Sequence, residues 1–200
     1  MLRVGLAGGV GAGKSAVAKH LAADGIPVFD ADRLAHELYA AGTGLAAAVI
    51  EEFGEGLRTP DGGVDRAALG EIVFADPERL AKLESMVHPP LLLALDLRFR
   101  EFAEAGENLA VVEGALLPRW PDTTVDLLIG VVADPMRRKD RLRRRGWSEE
   151  TLGARLAREV DDRLLRERCD WIVENNDTLE DLEWAVTVLA RRLRKRAESN

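Results

Sequence analysis

The stretch "GGVGAGKS", Gly8 to Ser15, follows the apolar run "MLRVGLA" at residues 1–7. Its glycines permit positive φ and let another group approach the backbone closely, so the stretch is neither strand nor, before Lys14, helix. It fits the pattern G-x-x-x-x-G-K-[ST], with an apolar strand before it and a periodic helical segment after it. In that setting the backbone of Gly9, Val10, Gly11, Ala12, Gly13, Lys14, Ser15 and Ala16 is expected to cradle a β-phosphate. The partial positive charge of the helix N-terminus stands behind it. Lys14 would reach between the β- and γ-phosphates of ATP, and Ser15 would hold Mg²⁺ through its hydroxyl. A ligand-free glycine turn is the alternative, and it has no use for a lysine and a hydroxyl in this register.

Outward from the loop, short apolar, β-branched runs alternate with longer periodic segments, the pattern of a parallel sheet with crossover helices. We expect strands at Leu2–Ala7, Ile26–Phe29, Leu109–Val112, Leu127–Val132 and Trp171–Val173, and hence an α/β protein with a five-stranded parallel sheet. Helices are expected at Lys14–Asp24, Pro135–Arg145, Glu149–Glu167 and Leu179–Arg196. Asp134 is placed to cap the second of these, with Pro135 at its first position and Gly146 at its end. Ser148 would cap the third, with Trp147 stapled onto Leu152. The segment 33–104 breaks the rhythm. It reads as several helices ("RLAHELYAAG", "GLAAAVIEEFG", "RAALGEIVF", "DPERLAKLESMV", "PPLLLALDLRFREFAEAG") around a polar turn "TPDGG" at 59–63, a helical insert between the second and third strands.

The chain has 200 residues, 46% hydrophobic and 32% charged, enough for a sizeable core in a soluble protein. A net charge of −7 argues against a protein that coats nucleic acid. Cys169 is the only cysteine, which excludes an internal disulfide and fits a reducing compartment. No apolar run approaches the ~18 residues of a membrane span. The first apolar residues run directly into the glycine loop, so no separate signal region is expected. The expectation is a cytoplasmic protein without nucleic-acid or membrane partners, a monomer or weak oligomer.

Several side chains are candidates for chemistry. "VFDAD" at 28–32 ends the second strand in Asp30 and Asp32, at the carboxyl edge where open α/β sheets bind ligands. A carboxylate there either accepts a proton from an attacking hydroxyl or holds a metal-bound water; we assign Asp30 to the metal. For Asp32 the alternative is a helix cap, since it precedes "RLAHEL". Glu113 ends the third strand similarly, either near the metal or as a surface carboxylate. "RRKDRLRRR" at 137–145 carries +6 in nine positions, leaving −13 for the rest. Helical geometry puts Arg137, Arg141 and Arg144 or Arg145 on one face and sends Arg138 and Arg143 elsewhere. Most are then solvated, while one or two guanidiniums over a triphosphate would neutralise transition-state charge. His88, in "VHPP", reads as a structural residue between helical stretches. Asn175, after the last strand, is either a turn residue or a hydrogen-bonding partner of a base.

"GLAGGVGAGKS", "VFDADRLAHEL", "VHP", "RLRRRGWSEE" and "CDWIVENND" occur in the order, and at about the distances, found in dephospho-coenzyme A kinases, and the resemblance covers nearly the whole chain. It implies the three-layer P-loop fold, with a nucleotide-binding core at 1–32, 105–136 and 166–200, a helical CoA-binding insert at 33–104 and a lid at 137–165. It implies transfer of the ATP γ-phosphate to the ribose 3′-hydroxyl of dephospho-CoA, the last step of coenzyme A synthesis. On this resemblance Asp32 activates the acceptor, Lys14 and Ser15 take the phosphate-loop roles, Arg141 is the lid arginine and Asn175 the adenine-side asparagine. The sequence departs from the family's usual pattern at Ala7, Ala115, Arg119 and Glu159. Two other readings compete: a P-loop kinase for another small molecule such as a nucleoside monophosphate, and an ATP-binding module with weakened transfer. An acceptor screen with ATP separates the two kinase readings.

Overall fold

A computed structural model of the chain describes residues 1–120, 124–148 and 161–199. These form two compact units, one of Met1–Asp30 with Phe99–Asn200 and one of Ala31–Arg98.

The first unit is built on five parallel strands: β1 (Leu2–Gly8), β2 (Val28–Asp30), β3 (Leu109–Glu113), β4 (Leu127–Val132) and β5 (Trp171–Glu174). Their order is β2-β3-β1-β4-β5, which puts β1 at the centre and the turn that follows it at the middle of the carboxyl edge. Every residue of β4 is buried, as is every residue of β1 but Arg3, as expected for strands covered on both faces. Helix α1 (Lys14–Ala23) contributes Val17, Ala18 and Leu21 to this core, and the last helix contributes Leu182, Val186, Leu189 and Leu193. The carboxylates of Asp126 and Asp170 accept the Arg3 and Leu128 N–H groups at 2.7 and 2.8 Å, tying down the beginnings of β1 and β4. β2 begins two residues later than the apolar run suggested and extends through Asp30.

The second unit holds α2 (Ala31–Leu38), α3 (Gly44–Phe53), α4 (Arg66–Phe74) and most of α5 (Pro77–Glu104). Thr43 caps α3 through the Ala46 N–H, and Asp65 caps α4 through the Ala67 and Ala68 N–H groups. The polar turn at 59–63 closes by Thr59 N–H to Gly63 O and Gly62 N–H to Thr59 O. Leu45, Val49, Ile50, Leu57, Leu69, Val73 and Leu83 form a separate core. Two expectations fail here. Asp32 does not cap α2, which begins at Ala31; it lies in the first helical turn. Nor does the chain break at "VHPP": α5 runs for 28 residues through Pro89 and Pro90, with His88 inside it. Each proline removes a donor and crowds the carbonyl one turn before it, but burial of Leu83, Leu91 and Leu95 on one side of the helix continues across them.

Helix α6 (Pro135–Arg144) starts as expected, with Asp134 Oδ1 accepting from the Met136 and Arg137 N–H groups. Helices α7 (Asp162–Arg168) and α8 (Leu179–Glu198) complete the described elements. The helix expected over Glu149–Glu167 lies outside the described residues for its first twelve positions, as do its staple partner Leu152 and Glu159.

Candidate active site

The loop between β1 and α1 adopts a backbone that side chains other than glycine resist. Gly11 stands at φ +78° and Gly13 at φ +106°. A Cβ on Gly13 would lie 2.1 Å from Asn175 Nδ2, so glycine is demanded both by conformation and by space. No side chain caps the N-terminus of α1, and its first turn carries no acid. Of its leading N–H groups, those of Ala16 and Val17 turn back to Gly13 O at 2.9 and 3.1 Å, which leaves those of Lys14 and Ser15 for an outside acceptor.

Three side chains hold the loop through its carbonyl oxygens. Arg138 Nε donates to Val10 O at 2.9 Å. Asn175 Nδ2 donates to Ala12 O at 2.8 Å, and Arg141 Nη1 approaches Ala12 O and Gly11 O at 3.3 and 3.4 Å. Arg141 Nη2 also donates to Asn175 Oδ1 and Asn175 O, at 3.0 and 2.9 Å. In a trans peptide the C=O and the next N–H point in opposite directions. Holding the Val10 and Ala12 carbonyls on one side thus turns the Gly11 and Gly13 N–H groups to the other. The Ala12 N–H instead closes the turn on Gly9 O at 3.1 Å.

At the sheet edge, Lys14 Nζ and Ser15 Oγ both donate to Glu113 Oε1, at 2.7 and 2.9 Å. Glu113 ends β3, the neighbour of β1, and its Cα partner across the β2–β3 ladder is Asp30. A primary amine, a hydroxyl and two carboxylate-bearing positions thus gather along one edge of the sheet. Beside the loop is a cavity of about 340 Å³ whose walls include Gly13, Ala16, Arg141, Asn175, Asp177 and Leu179, in the size range of small-molecule pockets.

Of the residues picked out in the sequence, Gly9–Ala16, Arg141 and Asn175 come together around the loop, and Asp30 lies along the edge with Glu113. Asn175 is 7% exposed, its amide engaged by the loop and by Arg141. Arg137, Arg143, Arg144 and Arg145 are exposed, as expected of a largely solvated cluster. Arg138 is not: it is 5% exposed, and besides Val10 it meets Asp162 Oδ1 of α7 at 3.4 Å. The face that carries Arg141 toward the loop also includes position 138, one turn earlier, and this i, i+3 relation was the available signal. Burial lowers the Arg141 pKa, and the charges of Arg137 and Arg145 lower it further. Asn176 is a second residue that sequence reasoning passed over. Its Oδ1 accepts from the Asp134 N–H at 2.7 Å, joining the β5–α8 loop to the start of α6.

The chain matches the family model described as dephospho-CoA kinase over residues 2–181. It is 42% identical over 192 residues to the dephospho-CoA kinase of Streptomyces avermitilis, covering 92% of this chain and 89% of that protein. A crystal structure of a Thermus thermophilus protein is 31% identical and superposes with a TM-score of 0.78, covering 96% of this chain and 97% of that one. The dephospho-CoA kinase structure from Campylobacter jejuni, at 20% identity, shares the fold with a TM-score of 0.63 over 96% of both chains. A glycine loop alone occurs in many nucleotide-binding proteins, but this match runs on through the helical unit and the Asp170–Asn175 segment. The chain belongs to the dephospho-CoA kinase family.

Proposed function

We propose that the protein transfers the γ-phosphate of ATP to the ribose 3′-hydroxyl of dephospho-CoA, giving CoA and ADP. The observation that carries this reading is the braced phosphate loop, with Lys14 and Ser15 at the sheet edge, in a chain that matches the family from residue 2 to residue 181. The Gly11, Gly13, Lys14 and Ser15 N–H groups receive the β-phosphate, and Lys14 offsets charge on the transferring group. The cavity beside Asn175 receives the nucleoside end of ATP. Arg141 and Arg138 hold the loop in shape, so that its donors need not reorganise as charge develops.

The Ser15 hydroxyl and the carboxylates of Asp30 and Glu113 are hard oxygen donors, the set that suits Mg²⁺ together with substrate phosphates. When bound, the ion supplies neutralisation of phosphate charge. Asp32 accepts the proton of the 3′-hydroxyl as its oxygen bonds to the γ-phosphorus and the bond to the β–γ bridging oxygen breaks. We assign acceptor binding to the helical segment 33–104 and the lid role to 137–165. With one free thiol and ATP as donor, the protein suits the cytoplasm.

The test is direct. Purified protein with ATP, Mg²⁺ and dephospho-CoA should form CoA and ADP, and chelation of Mg²⁺ should stop the reaction. Turnover of nucleoside monophosphates in place of dephospho-CoA would replace this reading with the other kinase; ATP binding without any transfer would replace it with the weakened module.

A further inference from the structure

Helix α8 carries "RRLRKR" at 191–196, +5 in six positions, which leaves −12 for the rest of the chain. Arg191, Arg192, Arg194, Lys195 and Arg196 are all exposed, while Leu193 between them belongs to the core. A helix dipole is complemented by cations in the last turn, which Lys195 and Arg196 supply; Arg191 and Arg192 lie a turn earlier and exceed that need. Among the described residues no carboxylate pairs with Arg191, Arg192, Lys195 or Arg196. Arg194 donates to Asp24 O at the end of α1. The first-turn acids Glu180 and Asp181 are about 15 Å or more away along the axis, beyond a Debye length of about 8–10 Å. Glu183 faces His20 at 3.7 Å. The net charge of the whole chain points away from anionic partners, but its distribution gathers cations on one exposed helix end that none of the roles above employs.

The same face carries Trp184, which is 71% exposed. Trp184, Val188, Arg191 and Lys195 follow at spacings of four, three and four, which aligns them in one stripe opposite the buried Leu182, Val186, Leu189 and Leu193. An exposed indole, apolar with a single N–H donor, suits the headgroup layer of a bilayer. A cluster of Lys and Arg on the outer side of an amphipathic helix suits anionic lipid headgroups. Nucleic acid fits this face less well, because single-strand sites stack successive bases along a groove, and the stripe is the convex side of a helix with one aromatic ring. Among the described residues no helix is long and apolar enough to cross a membrane, so the contact is one of surface on surface. Leu179, at the head of α8, borders the cavity beside the phosphate loop, and residues 191–196 lie about 18–26 Å further along the axis. A surface held at that end leaves the cavity open. We infer that the outer face of α8, Trp184 with Arg191, Arg192 and Lys195, docks reversibly on an anionic phospholipid surface, whatever acceptor the enzyme uses.

The test sediments the full chain with sucrose-loaded vesicles of equal parts phosphatidylglycerol and phosphatidylcholine, and with vesicles of phosphatidylcholine alone. Binding should occur only to the anionic vesicles and should fall as salt is raised. Each basic residue near such a surface strengthens binding about fivefold, so Arg191→Gln, Arg192→Gln and Lys195→Gln combined should weaken it roughly 100-fold. Trp184→Ala should weaken it without changing its salt dependence, and Arg191→Lys with Arg192→Lys should bind like wild type. The melting temperature and turnover should hold in every variant, since these side chains are exposed and remote from the phosphate loop. A wild-type protein that ignores anionic vesicles at low salt overturns the inference, as does a triple Gln variant or a Trp184→Ala variant that keeps full affinity. Equal binding to phosphatidylcholine alone overturns it too, and so does loss of binding in the Lys variant, because charge is then not the cause. A single-stranded oligonucleotide that binds more tightly than the vesicles through the same residues would reassign the face to nucleic acid.

Discussion

Replacing Gly13 by alanine tests the loop's geometry at its tightest point. The residue stands at φ +106°, ψ +11°, a left-handed conformation that costs an L-residue about 1–2 kcal/mol. The new Cβ would also fall 2.1 Å from Asn175 Nδ2, well inside contact distance. Relief requires Asn175 to swing away, which breaks its 2.8 Å bond to Ala12 O and the 3.0 Å bond it accepts from Arg141. Leaving such buried groups unsatisfied costs about 1–3 kcal/mol. The sum, about 2–5 kcal/mol, is a large share of a typical stability of about 5–15 kcal/mol. For a chain of this size it corresponds to a fall in Tm of about 4–20 °C. Because the Ala12 carbonyl is released at the same time, the Gly13 N–H loses its fixed direction and KM for ATP should rise too. Thermal unfolding followed by tryptophan fluorescence, with initial rates at varied ATP, measures both. A variant that melts with wild type and keeps its KM would show that neither the left-handed backbone nor the Asn175 brace matters, and the account of the loop would be wrong.

Lys14→Ala should lose most turnover while keeping its melting temperature, since the amine meets Glu113 at the sheet edge rather than the apolar core; near-normal turnover would sink the phosphate-loop assignment. Arg138→Met and Arg141→Met should both raise KM for ATP and lower stability, Arg138 by about 1–3 kcal/mol because it leaves the Val10 carbonyl without its donor. Arg143→Ala, at an exposed position where the guanidinium pairs with Asp140, should change stability by less than about 1 kcal/mol; equal losses at all three positions in denaturation and kinetics would indicate diffuse electrostatics instead. Asp32→Asn should lower kcat by roughly 10²–10⁴ with little change in ATP affinity, and intact turnover would move the base elsewhere. Burial, with help from the Asp170 charge, pushes the Cys169 thiol up to about 11. The unfolded thiol ionises first, so this residue's contribution to stability should fall as pH rises from the ordinary thiol range toward 11, and alkylation at mildly alkaline pH should be slower in the folded than in the urea-unfolded protein.

The parts of the fold legible in the chain are those whose cause is local. Strands such as Leu127–Val132 announce themselves by continuous β-branched and apolar residues, and α6 by Asp134 and Pro135 at its start. The phosphate loop is legible for the same reason: Gly11 and Gly13 meet a backbone requirement inside their own turn. Where the sequence misled, a distant neighbour outweighed the local signal. Two prolines inside α5 argue for a break, but apolar burial on both sides of them carries the helix through.

The site divides along the same line. Lys14, Ser15, Asp30 and Asn175 could be named from motif and position, yet what each touches could not. Glu113 lies 99 positions from Lys14 and reaches it only because β3 is the sheet neighbour of β1. Arg138 looked like one of several solvated arginines until α6 and α7 enclosed it between Val10 and Asp162. Residue types and spacing determined which chemistry the chain carries, because loop conformation and helix capping are settled over a few residues. Which guanidinium is buried and which carboxylate meets the loop lysine are settled by the order of strands and the packing of helices, contacts that exist only once the chain has folded.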